Sequence, residues 1–374
     1  MKRNTDNVVM ICSNYAWTIY NFRMPLIRAL KKSGYRVEVI TEFDGYETKI
    51  SHEVDHIHSL FIARKGINPL VDLITFLHLF IVLLKVKPTL FLSFSIKPVI
   101  YGSLATKLLR IPSIVMITGL GTAFITNNWL TKIVRYLYRI ALSSVSIVFF
   151  QNTDDKNIFI NNQLVSKKVC RMTPGSGVDL EKFSFLRMPT SQNIVFLLIA
   201  RMLLDKGVSE FVKAATAVNS KMPNTQFQLL GPLGVQNRTA ITISQMNKWE
   251  KNDVIEYLGE TDNVLRYIEK ATCIVLPSYR ECTSRVLLEA AAMGRPIITT
   301  DVPGCREIVE HGKNGFLCKP KDKLDLEKKM IDMLLMSRSD RQAMGEKGRQ
   351  KVEKEFNQDI VIDLYLDAIE NVIS

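Results

Sequence analysis

The segment 273–300 constrains the fold of this chain more than any other stretch. Its apolar run Cys273–Leu276 is short enough for a buried strand, and a helix is predicted to follow with Ser284 as its N-cap. Gly294 ends that helix, and Ile297–Thr300 reads as the next strand. A strand, a helix and a second strand in this order form one unit of a parallel sheet. We therefore expect an α/β protein whose ligands bind at the carboxyl ends of its strands.

Two carboxylates occur at this junction. Glu281 precedes the predicted helix and Glu289 lies in its second turn, with seven residues between them. Both side chains can face one crevice without being adjacent on a helical face. Backbone N–H groups that enter a helix favour anions. The spacing also fits an ordinary helix-start carboxylate followed by a solvated helix glutamate, so it does not decide the function alone.

Length and cysteine usage bound the class of protein. A chain of 374 residues, 47% of them apolar, is expected to form two domains with separate cores. Its six cysteines are dispersed without a Cys-x-x-Cys pair, and no secretory signal precedes the first predicted strand. These features favour reduced thiols and a cytosolic location.

The positive charge is concentrated in the first half. Residues 1–185 contain 23 lysines and arginines against 12 acidic residues, whereas residues 186–374 contain 26 against 25. An excess confined to one half indicates an anionic partner there, either membrane headgroups or nucleic acid. No zinc-finger, helix-turn-helix or RNA-binding pattern is present, so the interpretation is a peripheral membrane surface and no nucleic acid.

One apolar segment, Leu70–Leu84, bears on the membrane question. It has about 15 residues and contains Asp72 and His78, whereas a membrane-spanning helix needs roughly 20 apolar residues. We expect a buried core helix of the first domain. The alternative is an interfacial helix flanked by Lys85 and Lys87.

Two further patterns are typical of cofactor sites. Gly119–Phe124 follows a predicted strand, but Phe124 stands where a dinucleotide fingerprint needs a small residue, so no NAD or FAD site is expected. His52, His56 and His58 cluster near Asp55 but lack a convincing fourth ligand, so no metal site is expected.

The second half begins with a cationic pair. Arg201 follows the predicted strand Ile194–Ala200, and Lys206 stands just before the next helix. Two cations at the carboxyl end of a strand suit a diphosphate. The alternative is that both are ordinary surface cations.

These motifs together resemble one family. The strings P-S-Y-R-E and E-A-A-A-M-G-R-P around Glu281 and Glu289, the G-V-D segment at 177–179 and T-G-L-G at 118–121 are similar to the retaining glycosyltransferases of family 4. The resemblance covers nearly the whole chain and implies the GT-B fold, two Rossmann-like doubly wound parallel-sheet domains facing across a cleft. Residues 1–184 would form the N-terminal acceptor-binding domain, with the C-terminal helix 359–374 packing back on it, and residues 185–358 the nucleotide-sugar donor-binding domain.

The resemblance also implies roles for the donor-side residues. Arg201 and Lys206 would neutralise the departing nucleoside diphosphate, Glu289 would hold the ribose hydroxyls, and Glu281 would orient the donor sugar. The remaining donor-binding residues would be Cys282, Thr283, Ser284, Arg285 and Gly259. Cys282 departs from the family, which usually has glycine there. No metal and no other cofactor is implied.

On the acceptor side, the loop with Tyr20, Asn21 and Arg23 lacks the glycine pair that the family often has. It resembles a subgroup that adds sugars to lipid diphosphate-linked acceptors. Arg23 would then contact a phosphate or the acceptor, and the alternative is a solvated helix-start arginine. Thr118, Gly119 and Gly121 would line the cleft or form only a tight turn.

The resulting prediction is transfer of a sugar, N-acetylhexosamine such as GalNAc, from a UDP-sugar to an undecaprenyl diphosphate-linked saccharide. The product would be an alpha-linked bacterial surface glycan, made at the cytoplasmic face of the inner membrane by a peripheral enzyme. The alternatives are a different hexose or deoxyhexosamine donor, a nucleotide-sugar 2-epimerase, and a non-catalytic binding protein.

Overall fold

The structure, a computed structural model, describes residues 7–63, 68–120, 129–191 and 193–373. The chain divides into two compact units. The first comprises Met1–Ser176 together with Asp359–Ser374, and the second comprises Gly177–Gln358.

The sheet of the first unit has, among its described residues, seven strands that all pair in parallel. The spatial order is β3-β2-β1-β4-β5-β6-β7. Central strands are buried on both faces, which explains their continuous apolar runs. The strands are β1 (Val8–Tyr15), β2 (Arg36–Glu42), β3 (His56–Ser59), β4 (Leu90–Phe94), β5 (Ser113–Ile117), β6 (Ile147–Phe150) and β7 (Cys170–Met172).

Helices cover both faces of this sheet. Ile19 and Ile27, from the two helices after β1, pack on one face with Val9 and Ile11. The opposite face is covered by the helices of residues 69–161. The helices are α1 (Ala16–Phe22), α2 (Met24–Lys32), α3 (Glu47–Ile50), α4 (Pro69–Val86), α5 (Ser103–Leu109), α6 (Trp129–Ala141) and α7 (Thr153–Asn161).

The second unit has a parallel sheet of six described strands in the order β10-β9-β8-β11-β12-β13. The strands are β8 (Ile194–Ile199), β9 (Thr225–Leu230), β10 (Ile255–Tyr257), β11 (Cys273–Leu276), β12 (Ile297–Thr300) and β13 (Gly315–Cys318). The helices are α8 (Val208–Lys221), α9 (Ile243–Glu250), α10 (Leu265–Lys270), α11 (Arg285–Ala292), α12 (Lys323–Leu335) and α13 (Arg338–Glu355). The predicted unit β11-α11-β12 and the parallel α/β architecture are confirmed.

The chain returns to the first unit in its last helix, α14 (Gln358–Ile373). Tyr365 is buried there, with its ring 6.1 Å from that of Phe94 and 4.8 Å from that of Phe149. The short segment 177–184 belongs to the second unit, because Val178 and Phe183 pack in its core. Through Tyr365, helix α14 completes the core of the first unit, whose first strand begins about 350 residues earlier in the chain.

Arg295 closes the turn between α11 and β12. It is 1% exposed, and its guanidinium donates hydrogen bonds to four backbone carbonyls, those of Leu186, Arg187, Ile268 and Glu269. Burial lowers the pKa of Arg295 to about 10, so the side chain stays charged at neutral pH. One charged side chain thus ties three segments of the second unit together.

Helix α4 differs from the expectation of a buried core helix. It has 18 residues with a mean hydropathy of 2.1, and only 28% of it is buried. By length and composition alone, it is the one helix among those described that could cross a membrane. The sequence pattern could not show this, because an apolar helix has the same composition whether protein or another phase covers it.

Candidate active site of the second unit

The strand ends of β8 and β11 meet through a glycine. Gly207 ends a short 3₁₀ turn after β8 and begins α8 with a φ of +72°. A Cβ at this position would lie 2.1 Å from the carbonyl oxygen of Pro277, so only glycine allows the two connections to approach this closely. The Tyr279 N–H also donates to the carbonyl of Asp205 at 2.9 Å. This contact places Lys206 beside the loop that carries Glu281.

Glu281 is held by two donors on a single carboxylate oxygen. The Lys206 Nζ lies 2.5 Å from Oε1, and the Ser278 Oγ donates to the same oxygen at 2.6 Å. The side chain of Lys206 is 21% exposed and that of Glu281 is 13% exposed. Charge-assisted hydrogen bonds of this kind fix the orientation of a carboxylate. Glu281 is therefore a fixed anion at the carboxyl edge of the sheet.

The backbone of this loop is also fixed. The Glu281 N–H donates to the carbonyl of Pro303 at 3.2 Å. Gly304 has a φ of +81°, and a Cβ there would lie 2.5 Å from the carbonyl carbon of Glu281. The glycine after β12 thus permits the close approach that supports the Glu281 loop.

Ser278 is a site residue that the sequence analysis missed. It is fully buried, and its carbonyl accepts a hydrogen bond from the hydroxyl of Thr300. Its position two residues beyond β11 was the available signal, because polar side chains at strand ends meet at one edge of a parallel sheet.

Glu289 is buried in α11, with 6% of its surface exposed. Burial raises the pKa of its carboxyl group, an effect opposed by Arg285, whose Nε lies 2.8 Å from Oε1, and by the charge of Lys182. The interpretation of Glu289 as a solvated helix residue is therefore wrong. Arg285 forms an ion pair along the helix, at a spacing of four residues.

The connection between β11 and α11 contains the other predicted donor residues. Cys282 and Thr283 are half-buried, and the Thr283 hydroxyl donates to the Cys282 carbonyl at 3.0 Å. Ser284 is the extended N-cap residue of α11, and its N–H donates to the carbonyl of Gly304 at 3.1 Å. These residues lead directly from Glu281 into the helix.

The neighbouring strand exits contain Arg201 and Gly259. Arg201 is exposed after β8 and makes no side-chain hydrogen bond or ion pair with any residue in the described part of the chain. Gly259 has a φ of +77°, and its carbonyl accepts a 2.7 Å hydrogen bond from the Gly231 N–H. A Cβ at Gly231 would lie 2.0 Å from the Ala200 carbonyl oxygen. The segments that follow β8, β9 and β10 can therefore lie this close together only because glycine occupies position 231.

In the first unit, Arg23 is buried, with 6% of its surface exposed. Its Cζ lies 3.9 Å from the centroid of the Phe94 ring, and an N–H donates to the Met116 sulfur at 3.2 Å. Arg23 is therefore not a solvated helix-start arginine. The sequence did not exclude a solvated Arg23, because Phe94 and Met116, which contact its side chain, lie about 70 and 90 residues away in the chain.

Two other residues predicted on the acceptor side, Tyr20 and Asn21, lie in helix α1, so the loop predicted after β1 is helical there. The ring of Tyr20 is 5.4 Å from that of Tyr46, and the Asn21 amide donates to the Trp17 carbonyl at 2.9 Å. Thr118 is half-buried after β5, and Gly119 has a φ of +126°. Gly121 lies outside the described residues.

In the segment predicted as a histidine cluster, His58 and Asp55 form ion pairs or hydrogen bonds with protein side chains. The His58 Nε2 lies 2.7 Å from Glu38, which also pairs with Arg36 at 2.6 Å, and Asp55 pairs with Lys31 at 3.1 Å. The described residues contain no group of three or more His, Cys, Asp or Glu side chains that could hold a metal ion.

Comparison with known proteins places this site in a family. Residues 182–351 match the family described as "Glycosyl transferases group 1", and residues 9–152 match "Glycosyl transferase 4-like". Between them, the two matches cover most of both units.

Two relatives are similar over most of their length. The N,N'-diacetylbacillosaminyl-diphospho-undecaprenol alpha-1,3-N-acetylgalactosaminyltransferase of Campylobacter jejuni is 28% identical, over 95% of this chain and 96% of its own. The UDP-Gal:alpha-D-GlcNAc-diphosphoundecaprenol alpha-1,3-galactosyltransferase of Escherichia coli is 25% identical, over 85% of this chain and 86% of its own.

A solved glycosyltransferase structure from Rickettsia africae is similar in fold, with a TM-score of 0.80 and 17% identity over 98% of this chain and 99% of that one. The sheet orders, the family matches and this likeness agree with one another. The chain belongs to the family 4 glycosyltransferases and has the GT-B fold.

Proposed function

We propose that this enzyme transfers a sugar from a UDP-sugar to an undecaprenyl diphosphate-linked saccharide, with retention and an alpha linkage in the product. The observation that carries the proposal is the cluster of Lys206, Glu281 and Ser278 at the carboxyl edge of the second sheet. It combines a cation suited to a diphosphate with a fixed carboxylate suited to a sugar that develops positive charge.

The donor diphosphate is the natural ligand of Arg201 and Lys206. Arg201 is exposed without a partner in the described residues, and Lys206 is paired with Glu281. A diphosphate therefore binds Arg201 directly and competes with Glu281 for Lys206. Both cations then stabilise the negative charge that forms as the bond between the sugar and the diphosphate breaks.

Glu281 supports the same step from the sugar side. Its carboxylate accepts hydrogen bonds from donor-sugar hydroxyls and stabilises the oxocarbenium-like transition state. The acceptor oxygen bonds to the anomeric carbon on the face that the diphosphate leaves, and its proton passes to the leaving phosphate oxygen. The proposed sequence conserves atoms and charge, gives retention and requires no separate base.

The remaining donor contacts are proposed in α11, in the connection that precedes it and at the exit of β10. Glu289 is proposed to hold the ribose hydroxyls, with Arg285 keeping its carboxylate in place. Further donor contacts are proposed at Cys282, Thr283, Ser284 and Gly259.

The names of the two relatives support the substrate class. Both names contain a saccharide linked to undecaprenol through a diphosphate, and the Escherichia coli name specifies a UDP donor. We propose N-acetylgalactosamine as the transferred sugar because the name of the Campylobacter jejuni relative specifies it. Galactose, which the Escherichia coli name specifies, is the alternative. In this proposal the first unit binds the acceptor and the second unit, Gly177–Gln358, binds the donor.

The proposed location is the cytoplasmic face of the inner membrane. A lipid-linked acceptor stays in the bilayer, and residues 1–185 hold the basic excess of the chain. Peripheral attachment through the first unit holds the enzyme beside that acceptor, while the nucleotide sugar reaches the enzyme from the cytosol.

A donor and acceptor screen tests the proposal. UDP-GalNAc, UDP-Gal, UDP-GlcNAc and a GDP-sugar are each offered with an undecaprenyl diphosphate-linked saccharide, and the anomer formed is determined by NMR. We expect an alpha product from a UDP-sugar. A GDP-sugar preference contradicts the donor assignment, equal kcat/KM for the free saccharide contradicts the acceptor assignment, and a free epimer formed without acceptor favours the epimerase.

A further inference from the structure

Helix α4 exposes a continuous apolar stripe on its outward side. The exposed positions recur at intervals of three and four residues, which is the spacing of one helical face. They are Leu70 (72% exposed), Leu73 (52%), Ile74 (49%), Leu77 (46%), Ile81 (47%) and Leu84 (48%). Contiguous exposed apolar side chains on one face of a protein mark an interaction site.

The opposite side of α4 is fixed to the first unit. Leu79 and Leu83 are fully buried and pack in a cluster with Phe91 of β4. Asp72, 6% exposed, accepts a hydrogen bond from the Lys97 Nζ at 2.7 Å. Withdrawal of α4 from the unit would expose this apolar contact and break a largely buried ion pair. The apolar stripe is therefore held outward.

Helices α5 and α6 extend this outward surface. α4 packs on α5 and α5 packs on α6, and all three cover the same face of the first sheet. Leu108 of α5 is 66% exposed. In α6, Trp129 is 72% exposed, Ile133 44% and Tyr136 63%, again at helical spacing. We name the outward side of α4, α5 and α6 the α4–α6 face.

The exposed charge of this region is positive, because Asp72, the acidic residue of α4, is buried. From Leu73 to Thr153 the sequence contains eight lysines and arginines and no aspartate or glutamate. Most of the excess of the basic half therefore lies in the segment that contains these three helices. The exposed cations are Lys85, Lys107, Arg110, Lys132 and Arg139, together with Lys87 at the end of α4.

We propose that the α4–α6 face docks on an anionic phospholipid bilayer, with α4 lying in the plane of the interface. Apolar side chains enter the boundary between headgroups and acyl chains, and the surrounding cations meet anionic headgroups. Trp129 and Tyr136 have the amphipathic rings that are enriched at that depth. The inference rests on the proposed lipid-linked acceptor, because it supplies the surface that holds the enzyme beside it.

The charge pattern favours a bilayer over a second copy of the chain. A two-fold dimer places the same patch on both sides of the interface, so a basic face would meet a basic face. An anionic bilayer instead supplies the counter-charge along the whole face. The anchoring of α4 through Asp72 and its buried leucines favours docking over insertion across the membrane.

Vesicle binding tests the docking. The full chain is mixed with vesicles of phosphatidylglycerol and phosphatidylcholine, or of phosphatidylcholine alone, and the bound fraction is measured by flotation. The variant Ile74→Glu/Ile81→Glu removes apolar contact and adds charge repelled by the lipid. We expect its binding to fall about tenfold or more. The matched control Leu324→Glu/Leu335→Glu alters two leucines of the second unit that are 66% and 70% exposed, and is expected to bind as the parent does.

A charge variant tests the same face separately. Lys85→Gln/Lys132→Gln is expected to weaken binding to phosphatidylglycerol vesicles about thirtyfold, the equivalent of about 2 kcal/mol for two cations near the surface, and to change binding to phosphatidylcholine little. It keeps the proposal testable if the α4 variant fails to fold. Turnover with a short-chain, water-soluble lipid diphosphate acceptor is expected to be unchanged in both variants.

Three results overturn the docking proposal. They are undiminished vesicle binding by both variants, retention of the parent protein on vesicles after alkaline carbonate washing, and a parent dimer in vesicle-free solution that Ile74→Glu/Ile81→Glu dissociates. Failure of the proposed transfer is seen separately, as absent turnover with the water-soluble acceptor while vesicle binding persists.

Discussion

The Glu281→Ala variant tests the chemistry of the second unit most directly. In the protein, Glu281 accepts hydrogen bonds from the Lys206 Nζ and the Ser278 Oγ on one oxygen, and its side chain is 13% exposed. The substitution removes the fixed anion and leaves Lys206 without its carboxylate partner. Both consequences are separable by steady-state kinetics.

The effect on turnover follows from the role of a preorganised group. Loss of one such group aimed at developing charge costs about 3 kcal/mol, which lowers kcat about a hundredfold or more. The donor KM is expected not to rise, because Lys206 no longer has to leave an ion pair before it binds the diphosphate. A lower kcat without a higher KM is the signature of an interaction made in the transition state.

The fold is expected to survive the change. Lys206 is partly exposed, so water replaces much of its lost interaction, and the buried Ser278 hydroxyl loses one acceptor at a cost of about 1 kcal/mol. Thermal unfolding should therefore show a small shift. Initial rates of UDP release at saturating acceptor measure kcat and the donor KM on the same preparation.

A matched acidic residue gives the control. Glu310 also pairs with two lysines, Lys313 at 2.7 Å and Lys351 at 3.2 Å, in the same unit, but its side chain is 44% exposed. Glu310→Ala is expected to keep parent turnover, and Glu289→Ala is expected mainly to raise the donor KM. Near-normal kcat in Glu281→Ala, or an equal loss in Glu310→Ala, would refute the assignment.

Three further outcomes are expected. Ser278→Ala should lower kcat about tenfold, the equivalent of roughly 1.4 kcal/mol, because Glu281 loses its neutral donor; Ser278→Thr should restore part of it, and a change confined to KM would contradict this positioning role. Activity should persist in EDTA, because Arg201 and Lys206 hold the diphosphate; loss on chelation that manganese restores would refute it. Arg295→Met should reduce the free energy of unfolding by about 3 kcal/mol, since four carbonyls lose a charged donor, and an unchanged urea midpoint would count against that reading.

The sequence was sufficient for features set by local pattern. The buried runs of β11 and β12 and the break at Gly294 predict a strand–helix–strand unit, because a parallel sheet covered on both faces needs uninterrupted apolar strands. The same reasoning placed Lys206 and Glu281 at one edge, where the structure brings them together.

Features that depend on residues distant in the chain could not be predicted from the sequence. Arg23 is buried because Phe94 and Met116 pack around it, and neither residue is near it in the chain. Helix α4 is apolar around most of its circumference, so its pattern did not reveal which side the protein covers. Ser278 is an ordinary strand-end serine until the position of Glu281 is known.

The return of α14 to the first unit has a consequence for synthesis. Tyr365 fills the space between Phe94 and Phe149, and its ring lies close enough to Arg23 for that cation to oppose the rise in its pKa caused by burial. When residues 1–176 of a nascent chain have emerged from the ribosome, Tyr365 has not yet been synthesised. The second unit, Gly177–Gln358, can emerge and fold as a contiguous piece before then. Synthesis of the first unit therefore begins before that of the second unit and is completed after it, and the packing around Arg23 is complete only once α14 has been made.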